Sequence, residues 1–344
     1  MRSKEVVLIV LWTTGRCNLK CRYCYASSVG QQGDMDFETA ARVLDYFAGH
    51  PMKIQFAGGE PLLNYELICR VYKYVWQRRY DARFHMQTNG TLIDREKAKG
   101  IKKMKIALGV SLDGSPDVNE WLRGGTKQAV DGIQCLAHEG VTVNLNSVVT
   151  AQNIKRLSEM ADLALYLGNV AGIGLDLLRD AGRARESTSL ITKPTAEELK
   201  QALAALFQRC EFLYQHSGKR IVVREIEEAK RRLTCSEYSK NYCYASCGRS
   251  YVILPQGDAY PCGSLIDHAK YYMGNIYQGD LKSIVLPKKN AGKCRECTYS
   301  SFCPGGCPSR MMINEDESQE ETLDCVLKKT AFDIAISFKG DAGR

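Results

Sequence analysis

The chain has 344 residues, 44% hydrophobic and 25% charged, the ordinary balance of a globular protein with a large core. Its formal net charge of +8 is scattered rather than blocked, which argues against nucleic acid as a partner. No stretch approaches the ~18–20 apolar residues of a membrane span, and the run at 6–12 is too short for a signal peptide, so a cytoplasmic location is expected. In that reducing compartment fifteen cysteines point to metal binding or catalysis and away from a disulfide framework.

Residues 6–12 are predicted as a short buried strand, ending at Thr13-Thr14-Gly15. Amphipathic helices at 37–47, 65–78, 94–103, 127–139 and 154–167 then alternate with strands at 53–56, 83–87, 105–111, 141–149 and 172–178. Strands spaced in this way imply a parallel sheet of βα units, so the fold class is α/β, a partial (β/α)6 TIM-like barrel over residues 1–180. The chemically suggestive residues follow the C-terminal ends of these strands, the face that carries the active site in barrel-like folds. A polar stretch at 179–195 and helices at 196–216 and 225–233 are read as a helical linker region, 181–234. From Cys235 the composition shifts to Gly, Pro, Tyr and Cys. Residues 235–344 are read as a second, Cys-rich domain with a hairpin around Gln256-Gly257-Asp258 and a closing helix at 323–338.

Three thiols stand close together at Cys17, Cys21 and Cys24. Three ligands do not close a four-ligand site, so a metal centre there keeps one position open; a zinc ion completed by a distant residue is the bland alternative. The Cys-x3-Cys-x2-Cys spacing after a first strand resembles the signature of radical S-adenosylmethionine (SAM) enzymes. That resemblance implies a [4Fe-4S] cluster whose open iron binds the amino and carboxylate groups of SAM. It further implies that Tyr23 lies near the adenine and that Gly58, Gly59 and Glu60 approach the methionine amine. Ser111 would contact the ribose, and Arg123 would pair with the cofactor carboxylate. The stretch Asn119-Glu120-Trp121-Leu122-Arg123 departs from the family pattern at two polar positions.

Nearer the C-terminus the spacing runs Cys247-x9-Gly257-x4-Cys262, then Cys294-x2-Cys297-x5-Cys303-x3-Cys307, then Cys325. The second group alone reads equally well as a paired zinc ribbon. Together they resemble the SPASM extension of some radical SAM enzymes, which implies two auxiliary [4Fe-4S] clusters and three clusters in all. Cys294, Cys297, Cys303 and Cys325 would hold one. Cys247, Cys262 and Cys307 would hold the other, completed by Cys243 or Cys235, with Cys243 preferred for its short reach. Cys69, Cys135 and Cys210 fall on helical patterns beside apolar residues and read as small core hydrophobes.

The resemblance implies reductive cleavage of SAM to a 5′-deoxyadenosyl radical and oxidation of a peptide or protein side chain by crosslinking, desaturation or decarboxylation. An electron donor such as flavodoxin or ferredoxin is implied as well. Cys17 lies too near the first residue for a winged-helix leader-binding domain, so either a separate leader-binding protein or recognition by the linker and Cys-rich domain is expected. Sulfatase maturases resemble the chain overall, but the aspartate proposed as their base is replaced by Gly263, directly after Cys262. A haem-pathway decarboxylase is a further alternative, with Arg183 as a candidate contact for propionates. A rival of another class, an electron-transfer or zinc-stabilised scaffold, explains the C-terminal cysteines but leaves Gly58, Gly59, Glu60, Ser111 and Arg123 without a purpose.

Overall fold

Parallel strands Val7–Thr14 (β1), Met52–Gly58 (β2), Ala82–Thr88 (β3), Ala107–Ser111 (β4), Val143–Val149 (β5) and Val170–Leu177 (β6) stand side by side in chain order. This computed structural model describes residues 5–29, 33–186, 190–235, 241–287, 294–314 and 321–341. The crossovers between strands run through Phe37–Tyr46 (α1), Tyr65–Arg78 (α2), Arg95–Lys103 (α3), Pro116–Leu122 (α4), Thr126–His138 (α5) and Glu159–Leu167 (α6). Returning through a helix after each strand is what keeps neighbouring strands parallel.

Strand alternation sorts the residues into two environments. Ile9, Ile54, Phe56, Val110, Leu145 and Ile173 are fully buried against Leu44, Ile68, Ile101 and Ile133 of the helices. Each such side chain contributes about 1.5–3 kcal/mol by leaving water. The alternate positions Gln55, Gln87 and Asn146 turn polar groups into cavities inside the barrel. The interior is therefore built to hold something polar.

Several elements differ from the sequence expectation. The helix expected at 154–167 starts late: Ile154–Arg156 is a single 3-10 turn, and α6 begins at Glu159. The cause is local, because Asn153 accepts from the Thr150 amide (2.8 Å) and donates to the Asp113 carbonyl (2.9 Å), which holds that turn against β4. Helix α4 was not expected; it is one short segment with Pro116 in its first turn, too brief to show a period. A two-residue strand, Val222–Val223 (β7), extends the sheet beyond β6, between Ala196–Ser217 (α7) and Arg224–Thr234 (α8).

The Cys-rich segment joins the same sheet. Ser250–Ile253 (β8) pairs in parallel with β1, from Leu8 opposite Ser250 to Leu11 opposite Ile253. Asp258–Tyr260 (β9) and Gly274–Asn275 (β10) add to it in antiparallel fashion, giving the order β10-β9-β8-β1-β2-β3-β4-β5-β6-β7. An open barrel leaves β1 with an unpaired edge, and β8 covers it. Pro308–Ile313 (α9) and Leu323–Asp341 (α10) close the chain, with α10 packed on α7 and α8. Among the described residues, no helix is long and apolar enough to cross a membrane.

Candidate active site

The loop that leaves β1 carries the three thiols and is pinned by the end of β2. The Gly59 amide donates to the Thr14 carbonyl and the Glu60 amide to the Arg16 carbonyl, each at 2.8 Å. Gly58 has φ +134°, and a Cβ built there would lie 2.3 Å from the Thr14 oxygen. At Gly59 a Cβ would lie 2.0 Å from the Arg16 oxygen. Only glycine lets the two backbones come this close. Gly59→Ala is expected to push the thiol loop off its anchor, costing about 1–3 kcal/mol of stability and lowering the iron retained after reconstitution. Urea denaturation and iron per chain measure the two effects.

Glu60 is 1% exposed, and its carboxylate ties strand ends together. One oxygen accepts from Thr88 Oγ1 (2.6 Å) and the Leu62 amide (3.1 Å); the other accepts from the Asn89 amide (2.8 Å). Burial raises its pKa, and these donors act against the rise. A carboxylate has about four lone-pair positions, so room for one more donor is left. Asn89 Nδ2 donates to Asn18 Oδ1 (2.9 Å) and stands 4.0 Å from Cys17 Sγ.

Arg123 does not stand free. Its guanidinium donates to the Tyr23 hydroxyl, which itself donates to Asp113, and the Arg123–Asp113 ion pair closes at 3.6 Å. Asp113 is fully buried at the end of β4 and also accepts from the Val148 amide at 2.8 Å. Ser111 accepts from Gln87 Nε2 (2.8 Å), and Gln87 in turn accepts from Asn146 Nδ2 (2.7 Å). Each side chain singled out at a strand end is thus fixed by a second.

The thiols feel one another. Burial pushes the Cys21 thiol up to about 11; Arg123 opposes this, and Cys24, Asp113 and Cys17 add to it. Burial likewise raises Cys17, with Glu60 and Cys24 adding to the effect. The free Cys17 and Cys21 thiols therefore keep their protons at neutral pH, so loading a metal there must expel them and is favoured by rising pH.

A cavity of about 720 Å³ opens at the C-terminal ends of the strands. Its wall contains Cys17, Cys21, Tyr23, Cys24, Gly58, Gly59, Glu60, Ser111 and Arg123 together with Cys243 from the Cys-rich segment. A second cavity of about 480 Å³, lined by Lys53, His85 and Asn144, lies toward the N-terminal ends and reaches none of the thiols. Cys247, Cys262, Cys294, Cys297, Cys303, Cys307 and Cys325 lie outside the larger cavity's wall.

Cys262 and Cys307 with Cys243 form one neighbourhood, and Cys297 and Cys303 with Cys325 form another. Ser309 Oγ lies 3.4 Å from Cys262 Sγ and 3.3 Å from Cys307 Sγ. Burial raises the Cys243 thiol, and Cys307 adds to the rise. Cys247 donates to the Tyr244 carbonyl and accepts from Arg249 Nε, both at 3.2 Å. In the other neighbourhood burial pushes Cys325 up to about 11, with Cys303 and Cys297 adding to it. Among the described residues, no three His, Cys, Asp or Glu side chains are set around a single metal ion.

Sequence reasoning missed Trp12, Asp176, Arg179, Glu225 and Arg310, all of which line the larger cavity. Arg179 follows the end of β6 and was open to the same strand-end argument that found Ser111, whereas Asp176 lies within that strand. Arg310 joins them only through the fold, bonding Asp176 (2.5 Å) and Asp324 (2.7 Å) at once.

Comparison with known proteins bears on this site. The profile of the Radical SAM superfamily matches residues 13–164. An uncharacterized protein of Methanocaldococcus jannaschii is 30% identical over 306 residues, 86% of this chain and 97% of that protein. The Fe-coproporphyrin III synthase of Methanosarcina barkeri is 32% identical over 222 residues, 62% of this chain and 54% of the synthase. The cysteine-type anaerobic sulfatase-maturating enzyme of Clostridium perfringens is 25% identical over 369 residues, 96% of either chain. A solved structure of native anSMEcpe with bound AdoMet and the Cp18Cys peptide shares the fold, with a TM-score of 0.81 at 22% identity over 98% of both chains. The matched span holds the thiol triplet together with Gly58, Gly59, Glu60, Ser111 and Arg123, and the chain belongs to the radical SAM superfamily of enzymes.

Proposed function

We propose that this enzyme is a radical SAM maturase that oxidises a peptide or protein side chain. The observation that carries the reading is the shared cavity: the thiol triplet, Glu60, Ser111 and Arg123 face the same space as Cys243 of the Cys-rich segment. The superfamily implies a [4Fe-4S] cluster and SAM, and the donor set suits them. Three soft thiolates come from one loop, and two glycines leave no side chain between that loop and β2. Cys17, Cys21 and Cys24 would hold the cluster, while Tyr23, Gly58, Gly59, Glu60, Ser111 and Arg123 would hold SAM. Once bound, the pair supplies one-electron cleavage and hydrogen-atom abstraction, chemistry that belongs to the cofactors.

The chain's own part is orientation. Glu60 keeps one lone pair for an ammonium and is held in place by Thr88 and Asn89. Arg123 is braced by Asp113 and Tyr23, so its guanidinium loses little freedom when a carboxylate arrives. Ser111 is aimed by Gln87.

We assign Cys294, Cys297, Cys303 and Cys325 to one auxiliary [4Fe-4S] cluster and Cys243, Cys247, Cys262 and Cys307 to a second, three clusters in all. Supporting this are Ser309 between Cys262 and Cys307, the effect of Cys307 on Cys243, and that of Cys303 and Cys297 on Cys325. Cys235, at the end of α8, is exposed and has no such link among the described residues. Residues 1–180, 181–234 and 235–344 serve as barrel, linker and Cys-rich unit. An external electron donor completes the system.

The wall chemistry favours a peptide. Trp12 Nε1 and Arg179 Nε are buried donors, and Glu225 Oε2 is a buried acceptor, none with a partner among the described residues. Orphaned buried polar groups are costly, and an amide offers both the acceptor and the donor that these lack. The wall's carboxylates at Asp176, Glu225, Glu228 and Asp324 are paired with Arg179, Arg224, Arg310 and Lys328, so its charge does not separate a peptide from a tetrapyrrole. Formylglycine formation is disfavoured. A Cβ at Gly263 would stand 3.2 Å from the Trp12 ring and 3.4 Å from the Tyr25 hydroxyl, which leaves little room for an aspartate.

The test is isotopic. Reconstituted enzyme, SAM and dithionite are incubated with deuterated peptides or with deuterated coproporphyrin. Deuterium is expected in 5′-deoxyadenosine from a peptide; transfer from the porphyrin alone would overturn the peptide reading.

A further inference from the structure

A second face of the thiol loop is unused by the chemistry above. Lys20 and Arg22, both exposed, lie between the cysteines and line a surface groove of about 380 Å³ with Trp121, Arg183, Glu120 and Glu186. Arg123 borders both this groove and the larger cavity, so a single side chain separates the surface from the chamber of the thiols.

The groove is built into the loop. The Arg22 amide donates to the Leu122 carbonyl (2.9 Å), and its Nε donates to the Trp121 carbonyl (2.8 Å). Its guanidinium lies 4.4 Å from the centre of the Trp121 ring, an aromatic left 39% exposed. Arg183 Nε donates to the Cys21 carbonyl at 2.7 Å. Lys20 has no hydrogen-bond or ion-pair partner among the described residues. Glu120 is engaged by the Thr126 amide (2.9 Å). Three cations and a partly exposed aromatic therefore stand directly over the segment that carries the thiols.

We propose that this groove docks a small acidic one-electron carrier protein of flavodoxin type. The inference rests on the radical SAM reading, which requires an electron from outside the chain. Electron transfer weakens steeply with distance, so the carrier must sit close to the thiols, and this groove is bounded by Arg183, which bonds the Cys21 carbonyl, and by Arg123, which also lines their chamber. An acidic carrier meets Lys20, Arg22 and Arg183 there and is drawn by a chain of net charge +8. Exposed tryptophan and arginine supply the anchors typical of such interfaces.

The experiment uses reconstituted full-length protein and a bacterial flavodoxin as probe. Flavodoxin affinity is titrated without turnover, and 5′-deoxyadenosine formation is measured with reduced flavodoxin and, separately, with dithionite. Lys20→Glu, alone and with Arg22→Glu, is expected to weaken flavodoxin binding and flavodoxin-driven cleavage about tenfold or more. The dithionite-driven rate is expected to stay at the unaltered level, and added salt should weaken flavodoxin binding to the unaltered protein more than to the variants. Unchanged flavodoxin affinity would overturn the inference, as would an equal fall in both rates. Weakened binding of a substrate peptide with flavodoxin binding intact would overturn it in favour of a leader-docking surface. No cleavage by the unaltered protein with dithionite would overturn the radical reading itself, and this inference with it.

Discussion

Cys21→Ala is expected to abolish 5′-deoxyadenosine formation, whereas Cys303→Ala is expected to keep it and lose substrate oxidation. Cys21 is the most buried of the three loop thiols, 7% exposed, and both neighbouring thiols act on it electrostatically. Its loss leaves only two thiolates in the loop, too few to hold the cluster. Cys303 lies outside the wall of the larger cavity and beside Cys325, so its removal leaves the loop, Glu60 and Arg123 untouched. Anaerobic assays of both variants, with product and iron per chain measured together, separate the roles. Full substrate turnover by Cys303→Ala would refute the assignment of a second thiol group to the reaction.

Arg310→Met is expected to destabilise the fold by about 3–5 kcal/mol, the usual result of removing one partner from a buried ionic cluster. Arg310 is 2% exposed and bonds both oxygens of Asp324 (2.8 and 2.7 Å), one oxygen of Asp176 (2.5 Å) and the Leu177 carbonyl (3.1 Å). Methionine fills similar volume but leaves the Asp324 carboxylate without its cation. The site also joins α9 and α10 to β6, so the Cys-rich segment should loosen from the barrel first. Urea denaturation measures the loss.

Acid titration gives that prediction a sign. Burial pushes the Asp176 carboxyl up, but Arg179 and Arg310 more than offset it and hold it well below the usual carboxylate range. Because its folded-state pKa is depressed, its stabilisation is present above the unfolded value of about 4 and drains away as pH falls below it. Arg310→Met should shrink that acid-induced loss. An undiminished loss would mean that Arg179 alone holds the carboxylate.

The barrel was legible because its strands are short stretches of continuous or alternating apolar residues, spaced by helical patterns. The thiol loop and Gly58-Gly59-Glu60 were legible because both sit at strand ends and their residue types are restrictive. What the glycines do was less visible. Their lack of a Cβ lets β2 grip the loop at Thr14 and Arg16, a contact between backbones more than forty residues apart in sequence. The pairing of β8 with β1 left no local signal, since Ser250–Ile253 reads the same whichever strand it joins. Arg310, Asp176 and Glu225 escaped notice for a similar reason: each is an ordinary charged residue in sequence, and only the fold brings them to one wall. Asp113 stands two residues after Ser111, yet its brace on Tyr23 and Arg123 depends on a loop ninety residues away.

The central claim is that the loop thiols initiate SAM cleavage, and anaerobic reconstitution tests it most directly. Protein supplied with iron and sulfide, then with dithionite and SAM, is predicted to release 5′-deoxyadenosine and methionine, and Cys21→Ala treated identically is predicted to release none. Absence of 5′-deoxyadenosine from the unaltered protein, with zinc as the only metal retained, would contradict the account.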